Sequence, residues 1–455
     1  MPIDPQASPA YRPETMLLGL GDAFFDPVTP ADFPETRLRF RNDHAAAQVG
    51  LATLTDDEWI RHFGRFAPLP GTLPQPFALR YHGHQFRNYN PDLGDGRGFT
   101  FAQLRDDRDR LMDLGTKGSG QTPYSRFGDG RLTLKGGVRE ILATEMLEAL
   151  NVPTSRTLSL IETGEELVRG DEPSPTRSAV LVRLSHGHIR IGTFQRLAYE
   201  RDEAGMRALV GYVLTNLYGE QSDDPIRLLA LVVERTARLA ARYMAAGFVH
   251  GVLNSDNINV TGESFDYGPW RFAPTWDPAF TAAYFDHAGL YAFGRQPEAI
   301  HWDVMQLAAA LRMIAESDPL IAALETFPTH YQREIADALL WRIGVTPRGD
   351  DEDRALVRIL ERAMRASGVG IDRLFFDLFG GTLPDGYGSE WDELRVALAP
   401  YTPRKARDHA YWQGISCSLL IDEVEAIWAP IADADDWARL HAKVVAIRDM
   451  GAALA

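Results

Sequence analysis

The chain has 455 residues, a size comfortable for two lobes, with 45% hydrophobic and 24% charged residues, the balance of a soluble globular protein. Its formal net charge of -16 disfavours nucleic acid and anionic membranes as partners, since polyanions repel, so cations that cluster against this background are informative. The single cysteine, Cys417, excludes an internal disulfide and a cysteine-built zinc site, and fits a reducing cytoplasmic compartment.

No apolar run reaches the length of a membrane span, and the Pro-rich stretch from Met1 to Glu14 lacks the basic and apolar regions of a signal peptide. Residues 1–75 read as an N-terminal arm packed on the rest, with prolines at 27, 30 and 34 breaking any long helix. Within it, Thr55 to Phe66 reads as a short helix with Thr55 as N-cap and Glu58 at the third helical position. Residues 76–204 read as a strand-rich, nucleotide-binding lobe, and residues 205–455 as a helical lobe.

The first lobe opens with Tyr81-His82-Gly83-His84-Gln85-Phe86, where the two histidines read as ordinary hydrogen-bonding residues, there being no nearby carboxylate. Asn90 to Gly98 follows. Gly94, Gly96 and Gly98 would let the backbone wrap a phosphate, with Arg97 adding charge, although a hairpin uses the same residues. Phe99 to Leu104 and Leu111 to Thr116 read as strands, the second delivering Lys117. Lys117 precedes Gly118, and Pro123 comes soon after, which rules out a Walker loop. A lysine at a strand end instead fits the kinase-type residue that reaches phosphates and pairs with a helix glutamate. A second Gly-Asp-Gly-Arg spans Gly128, Asp129, Gly130 and Arg131, so two copies of one tetrapeptide flank the lysine, as two loops gripping one ligand would. Gly137 to Leu150 reads as a helix with Glu140 in its first turn, there either to suit the helix dipole or to partner Lys117.

Thr157 to Glu162, Ser178 to Leu184 and Ile189 to Gln195 read as strands, the last two forming a hairpin about Ser185 to His188. With paired numbers summing to 373, Arg183 faces Arg190. Like charges opposite one another destabilise a hairpin unless both clasp an anion, and a polyphosphate is the natural candidate.

The second lobe reads as helices over Asp224 to Ala246, Ile300 to Ile314, Tyr331 to Trp341, Asp351 to Ala366, Gly370 to Phe379 and a periodic stretch from Ile421 to Met450. Cys417 reads as a small buried apolar residue. Between the first two helices lies His250-Gly251-Val252-Leu253-Asn254-Ser255-Asp256-Asn257, followed by Asp266-Tyr267-Gly268. Protein kinases carry His-Arg-Asp-x-x-x-x-Asn and then Asp-Phe-Gly. On that pattern Asn257 and Asp266 are oxygen donors for Mg²⁺, while the position of the kinase base falls on Val252, which accepts no proton. Asp256, beside the metal asparagine, is the substitute. A polar turn would use similar residues.

Taken together, these motifs resemble the SelO (YdiU) family of kinase-like pseudokinases, which are protein adenylyltransferases; in matching order they run from about residue 18 to 315. The resemblance implies an α+β, two-lobed protein-kinase-like fold, with a strand-rich N-lobe and a helical C-lobe. It implies transfer of AMP from ATP to Ser, Thr or Tyr hydroxyls of proteins, with ATP bound inverted relative to a kinase, and UMP transfer as a related activity. Gly94, Gly96, Arg97, Lys117, Asp129, Gly130, Arg183, Arg190 and Asp266 would contact nucleotide, Glu140 would orient Lys117, Asn257 and Asp266 would hold Mg²⁺ or Mn²⁺, and Asp256 would accept the proton. The competing readings are an ATP-dependent phosphotransferase and a nucleotide-binding scaffold without turnover. This chain departs from the family pattern at His82 and Arg87, and its cysteine lies at 417 rather than close to the C-terminus.

Overall fold

The computed structural model describes residues 10–170 and 172–455; most of the stretch read for a signal peptide, residues 1–9, lies outside them. Thirteen strands are present among these residues: β1 (Pro13–Glu14), β2 (Phe25–Pro27), β3 (Arg37–Arg41), β4 (Phe77–Leu79), β5 (Gly83–Gln85), β6 (Asn88–Asn90), β7 (Thr100–Arg105), β8 (Leu111–Lys117), β9 (Leu132–Thr133), β10 (Arg156–Leu167), β11 (Thr176–Ser185), β12 (Phe248–Val249) and β13 (Arg271–Phe272). Nine of them form one sheet along the path β2-β4-β7-β8-β11-β10-β3, with β1 added on β7 and β9 on β11. The arm therefore supplies strands β1, β2 and β3 to the same sheet that carries Lys117.

Both faces of the sheet are buried, and the period-2 alternation of its strands assigns side chains to each. On β11, Val180, Val182 and Leu184 join a core with Trp59, Phe63, Phe99 and Phe101, built under the arm helices α1 (Asp43–Gln48) and α2 (Asp56–Phe63). Ala179 and Leu181 face the other way, into the core of α3 (Leu134–Ala149). Lys117 and Arg183 share the parity of that second face, and Leu181 pairs with Lys117 across the ladder, so two cations reach the interlobe side of the sheet. The capping box of α2 forms as the sequence predicts: the Thr55 hydroxyl accepts the Glu58 backbone N–H and the Glu58 carboxylate accepts that of Thr55. The helix stops at Phe63 rather than Phe66.

Several expectations are corrected. Ile189 to Gln195 is not a strand: α4 (Ile191–Glu200) begins there, with Arg190 as its N-cap, and no β11 hairpin partner follows. Ile191 and Phe194, with Leu197 just beyond the segment, recur at the three-residue spacing of one helix face, and all three are buried. Helix α3 starts at Leu134 on the Thr133 cap, which puts Glu140 in its second turn and removes the helix-dipole explanation for it. The stretch from Ile421 to Met450 is two helices, broken at Asp435 in a left-handed conformation.

The helical lobe runs from α5 (Glu203–Tyr212) through α6 (Pro225–Ala246), α7 (Gln296–Leu311), α8 (Ser317–Leu324), α9 (Phe327–Ile343), α10 (Asp350–Ser367), α11 (Ile371–Leu378), α12 (Asp392–Leu398) and α13 (Ile421–Ala434) to α14 (Ala438–Leu454). Helix α6 is fully buried along Leu229, Val232, Val233, Ala237 and Ala240, and the Asp224 side chain caps its first turn. No helix among the described residues is long and apolar enough to cross a membrane. Cys417 is buried, and burial raises its thiol pKa. An antiparallel sheet with one helix packed on its inner face, joined to a helical lobe that carries the metal-type loop, is a two-lobed protein-kinase-like arrangement.

Trp59 is wholly buried between the arm and the sheet, its indole N–H donating to the Ser159 hydroxyl at 2.9 Å. Trp59→Ala should cost about 3–5 kcal/mol, the usual loss for a large buried aromatic. Urea or guanidinium denaturation measures it; a loss below about 1 kcal/mol would mean that the arm does not share the core of the sheet.

Candidate active site

The site begins with Lys117, which β8 delivers to the interlobe side at 4% exposure. Its ammonium forms a salt bridge with Glu140 of α3, itself 2% exposed, lies 3.5 Å from Asp266 and donates to the Tyr267 carbonyl at 3.3 Å. The paired strand-end lysine and helix glutamate are therefore in contact and buried, with the partly exposed Asp266 beside the lysine.

Asp266 is the centre of the constellation. Arg183 donates to its Oδ1 at 3.1 Å, and an Arg190 guanidinium nitrogen stands 3.5 Å from its Oδ2. Burial by itself would raise the Asp266 carboxyl, but Arg183, Lys117, Arg190 and Arg97 outweigh it and hold the group well below the usual carboxylate range. The residue has a φ of +65°, a left-handed conformation that aspartate tolerates better than most side chains. Arg183 and Arg190 do converge, as the sequence indicates, but through different geometry. One comes from the end of a strand and the other from a helix N-cap, and the anion between them is a carboxylate of the chain itself.

Each arginine has further support. The Arg183 Nε donates to His188 Nε2 at 3.2 Å, and the His188 Nδ1 is 3.3 Å from Asp113. Gly115, opposite Arg183 in the ladder, makes this possible, because a Cβ there would stand 2.6 Å from the His188 ring. Arg190 is buried to 1%, lies over the Tyr81 ring at 4.0 Å and the Phe265 ring at 4.8 Å, and is 3.4 Å from Asp95. It donates to the Asp256 carbonyl at 3.0 Å and stands behind the cleft rather than in its lining.

The cleft holds about 690 Å³ and is lined by both glycine-rich loops, Lys117, Arg183, Val252, Asp256, Asn257 and Asp266. Gly94, Gly96, Arg97, Asp129 and Gly130 all lie on its wall, and Arg97 is exposed at the mouth. The loops pack on one another through residues 121–128: a Cβ on Gly94 would stand 2.3 Å from the Tyr124 ring, so its smallness serves contact between loops. The Asp129 carboxylate is taken up by Arg169, at 2.8 and 3.0 Å, and by the Arg131 N–H at 2.9 Å. Asp129 thus holds the second loop closed and places a further cation, Arg169, on the wall.

Asp256 is 7% exposed, and its Oδ1 is buried without a hydrogen-bond partner. Burial pushes its carboxyl up to about 7, against the pull of Arg190, so it can take up a proton at neutral pH. Asn257 donates its amide to the Val252 carbonyl at 3.0 Å, which leaves the side-chain oxygen as its free donor atom. With Asp266 it supplies hard oxygen ligands suited to Mg²⁺ or Mn²⁺. No group of three or more His, Cys, Asp or Glu side chains among the described residues forms a metal cluster, so a cation held by these two residues would need its remaining ligands from outside the chain.

Residues outside the candidate set hold this loop in place. The Ser255 hydroxyl donates to Gln195 at 2.6 Å and accepts the His84 N–H at 2.7 Å, while the Asn254 side-chain oxygen accepts the Phe86 N–H at 3.1 Å. The Tyr81-to-Phe86 stretch is thus the buttress of the Asp256 loop. Its own histidines are engaged, His82 with the Tyr89 hydroxyl and His84 with Gln195, each at 2.7 Å. His188 and Asp95 were likewise not singled out by sequence reasoning; both sit inside motifs that read as turns, and only the fold reveals which arginine each one supports.

Comparison with known proteins gives a concordant picture. A family model described as Protein adenylyltransferase SelO matches residues 8–385, well beyond the reach of the motifs. Protein nucleotidyltransferase YdiU of Synechocystis sp. is 51% identical over 460 residues, spanning 93% of this chain and 95% of the relative. The protein of the same name from Synechococcus elongatus is 44% identical over 468 residues, spanning 94% and 93%. Among solved structures, ROP2 from Toxoplasma gondii, a virulence factor with a protein-kinase fold and no enzymatic activity, overlaps 72% of this chain and 82% of its own at a TM-score of 0.25 and 12% identity.

Because Asp266 separates the two arginines, the like-charge repulsion expected from a hairpin is already offset in the protein alone. Arg190→Ala should therefore destabilise it, toward the low end of the roughly 3–5 kcal/mol typical of breaking a buried pair, since Lys117 and Arg183 still face Asp266. Denaturation without nucleotide decides the sign: a stabilised variant would restore the repulsion account.

Proposed function

The chain belongs to the SelO family of protein adenylyltransferases, and from that membership we propose that it transfers AMP from ATP to Ser, Thr or Tyr hydroxyls of other proteins, releasing pyrophosphate. The observation that carries the reading is the cationic closed end of the cleft, where buried Lys117 and Arg183 lie against Asp266 with Arg190 behind them. Membership of the family implies ATP bound with its β- and γ-phosphates inward, and the cations at the depth of the cleft suit those phosphates, with the α-phosphate left within reach of Asp256.

In this reading the acceptor hydroxyl approaches Asp256, whose carboxylate takes the proton as the oxygen attacks the α-phosphorus. The bond from the α-phosphorus to the bridging oxygen breaks, and pyrophosphate leaves with its new charge against Lys117 and Arg183. Arg97 and Arg169 on the wall, with the backbone of the two glycine-rich loops, orient the nucleotide. Asn257 and Asp266 would hold Mg²⁺ or Mn²⁺, which supplies positive charge to the phosphates when bound. Val252 stands where a kinase has its base, and this favours a repositioned acceptor over ordinary phosphoryl transfer.

Incubation with ATP labelled at the α-phosphate, and in parallel at the γ-phosphate, tests the reading. Only the α-label should enter protein, and Asp256→Asn should lower its incorporation about 10²–10⁴-fold. Entry of the γ-label would convert the assignment to a kinase, and incorporation of neither, with no pyrophosphate release, would leave a nucleotide-binding scaffold. UTP labelled at the α-phosphate separates AMP from UMP transfer.

Lys117 and Glu140 should differ in weight. Lys117→Met removes a cation from the leaving group and should abolish most AMP transfer, whereas Glu140→Gln keeps a side-chain acceptor for the ammonium and should cost less. Steady-state rates of α-label incorporation compare them; a greater loss in Glu140→Gln would overturn the orienting role of Glu140.

A further inference from the structure

A second cavity, of about 530 Å³, shares no lining residue with the cleft. Glu263 lines it, and Asp266, three residues later, lines the cleft, so one short segment of chain separates the two. Its walls come from both lobes. The sheet side contributes Arg108 and Arg110 from the β7–β8 turn and Arg156 from the start of β10; the helical side contributes Arg235 and Arg238 of α6.

Five arginines around one cavity, in a chain with a net charge of -16, call for an account of their partners. Three are engaged: Arg110 with Asp106 at 2.7 Å, Arg156 with Glu148 at 2.8 Å and Arg238 with Glu334 at 3.0 Å. Arg108 and Arg235 have no side-chain partner among the described residues. The lining carboxylates do not supply one: Glu148 is held by Arg156, and the Glu263 Oε2 accepts the His186 backbone N–H at 2.7 Å. The His186 Nε2, on the same lining, is buried without a hydrogen-bond partner, and burial lowers the ring's pKa to about 4, keeping it neutral. Among the described residues, one exposed guanidinium on each lobe is left without a protein partner, and the buried His186 ring nitrogen shares their lining.

We propose that this cavity binds a small bisphosphorylated metabolite, one phosphate on Arg108 of the sheet lobe and the other on Arg235 of the helical lobe. Guanidinium groups grip phosphate oxygens in pairs, and a cavity of this volume exceeds what a single phosphate needs. A ligand held this way ties the two lobes together on the far side of the Glu263–Asp266 segment, and so biases the angle at which they meet across the cleft. The site does not depend on the reaction assigned to the cleft.

The test uses the full chain with fructose 1,6-bisphosphate as probe, by calorimetry, in the presence and absence of saturating α,β-methylene-ATP with Mg²⁺. Saturable binding that persists beside the nucleotide analogue is expected. The double variant Arg108→Ser/Arg235→Ser, which alters two exposed side chains, should weaken it at least tenfold while binding α,β-methylene-ATP as the unaltered protein does. Inorganic phosphate should bind at least tenfold more weakly than the bisphosphate. The proposal falls if the unaltered protein does not bind the probe, if the nucleotide analogue displaces it, if the double variant binds it equally, or if inorganic phosphate matches it.

Discussion

The partly buried carboxylate of Asp266, set among the buried cations Lys117, Arg183 and Arg190, is the interaction on which the rest of the site depends. A buried carboxylate is costly unless paired, and so are three buried cations. Each is tolerable here only because the others are present. The cluster also joins the lobes: Lys117 and Arg183 come from the sheet, Arg190 from the cap of the first helix after it, and Asp266 from the loop of the helical lobe. Folding the two lobes together therefore also builds the charged end of the cleft, and any anion or cation bound there would compete within a set of charges that is already balanced.

The sheet makes this arrangement possible because both of its faces are buried. The arm's Trp59 and Phe63 seal one face, α3 packs on the other, and the period-2 alternation of β8 and β11 leaves Lys117 and Arg183 on the inner side. An arm that contributes strands and core is part of the framework of the site, even though none of its described residues lines the cleft.

Charge is distributed unevenly over an acidic molecule. The surplus of 63 acidic over 47 basic residues is spread across the chain, while cations gather in two cavities on either side of one segment of chain. In the cleft an internal carboxylate balances them. In the second cavity, two exposed arginines have no side-chain partner among the described residues. That asymmetry separates a site whose charges are organised for chemistry from one whose charges await a ligand.

Local signals in the sequence determined much of this. The capping box at Thr55, the strand delivering Lys117, the helix bearing Glu140 and the spacing from Asn257 to Asp266 are short-range patterns, and the chain forms each of them, the Glu140 helix three residues earlier than its pattern indicates. The convergence of Arg183 and Arg190 was also legible, but its cause was not. Either a hairpin or a strand-to-helix turn can bring the two residues together; the chain takes the turn, with Arg190 as the N-cap of α4 and its guanidinium on the Asp256 carbonyl. The same holds for the anion between the arginines, for His188 behind Arg183 and for the Tyr81-to-Phe86 buttress. Each depends on contacts between residues tens of positions apart in the chain. Periodicity and spacing report what a residue's neighbours in the chain impose; which buried charge answers which other is decided when the lobes close and water is removed from between them.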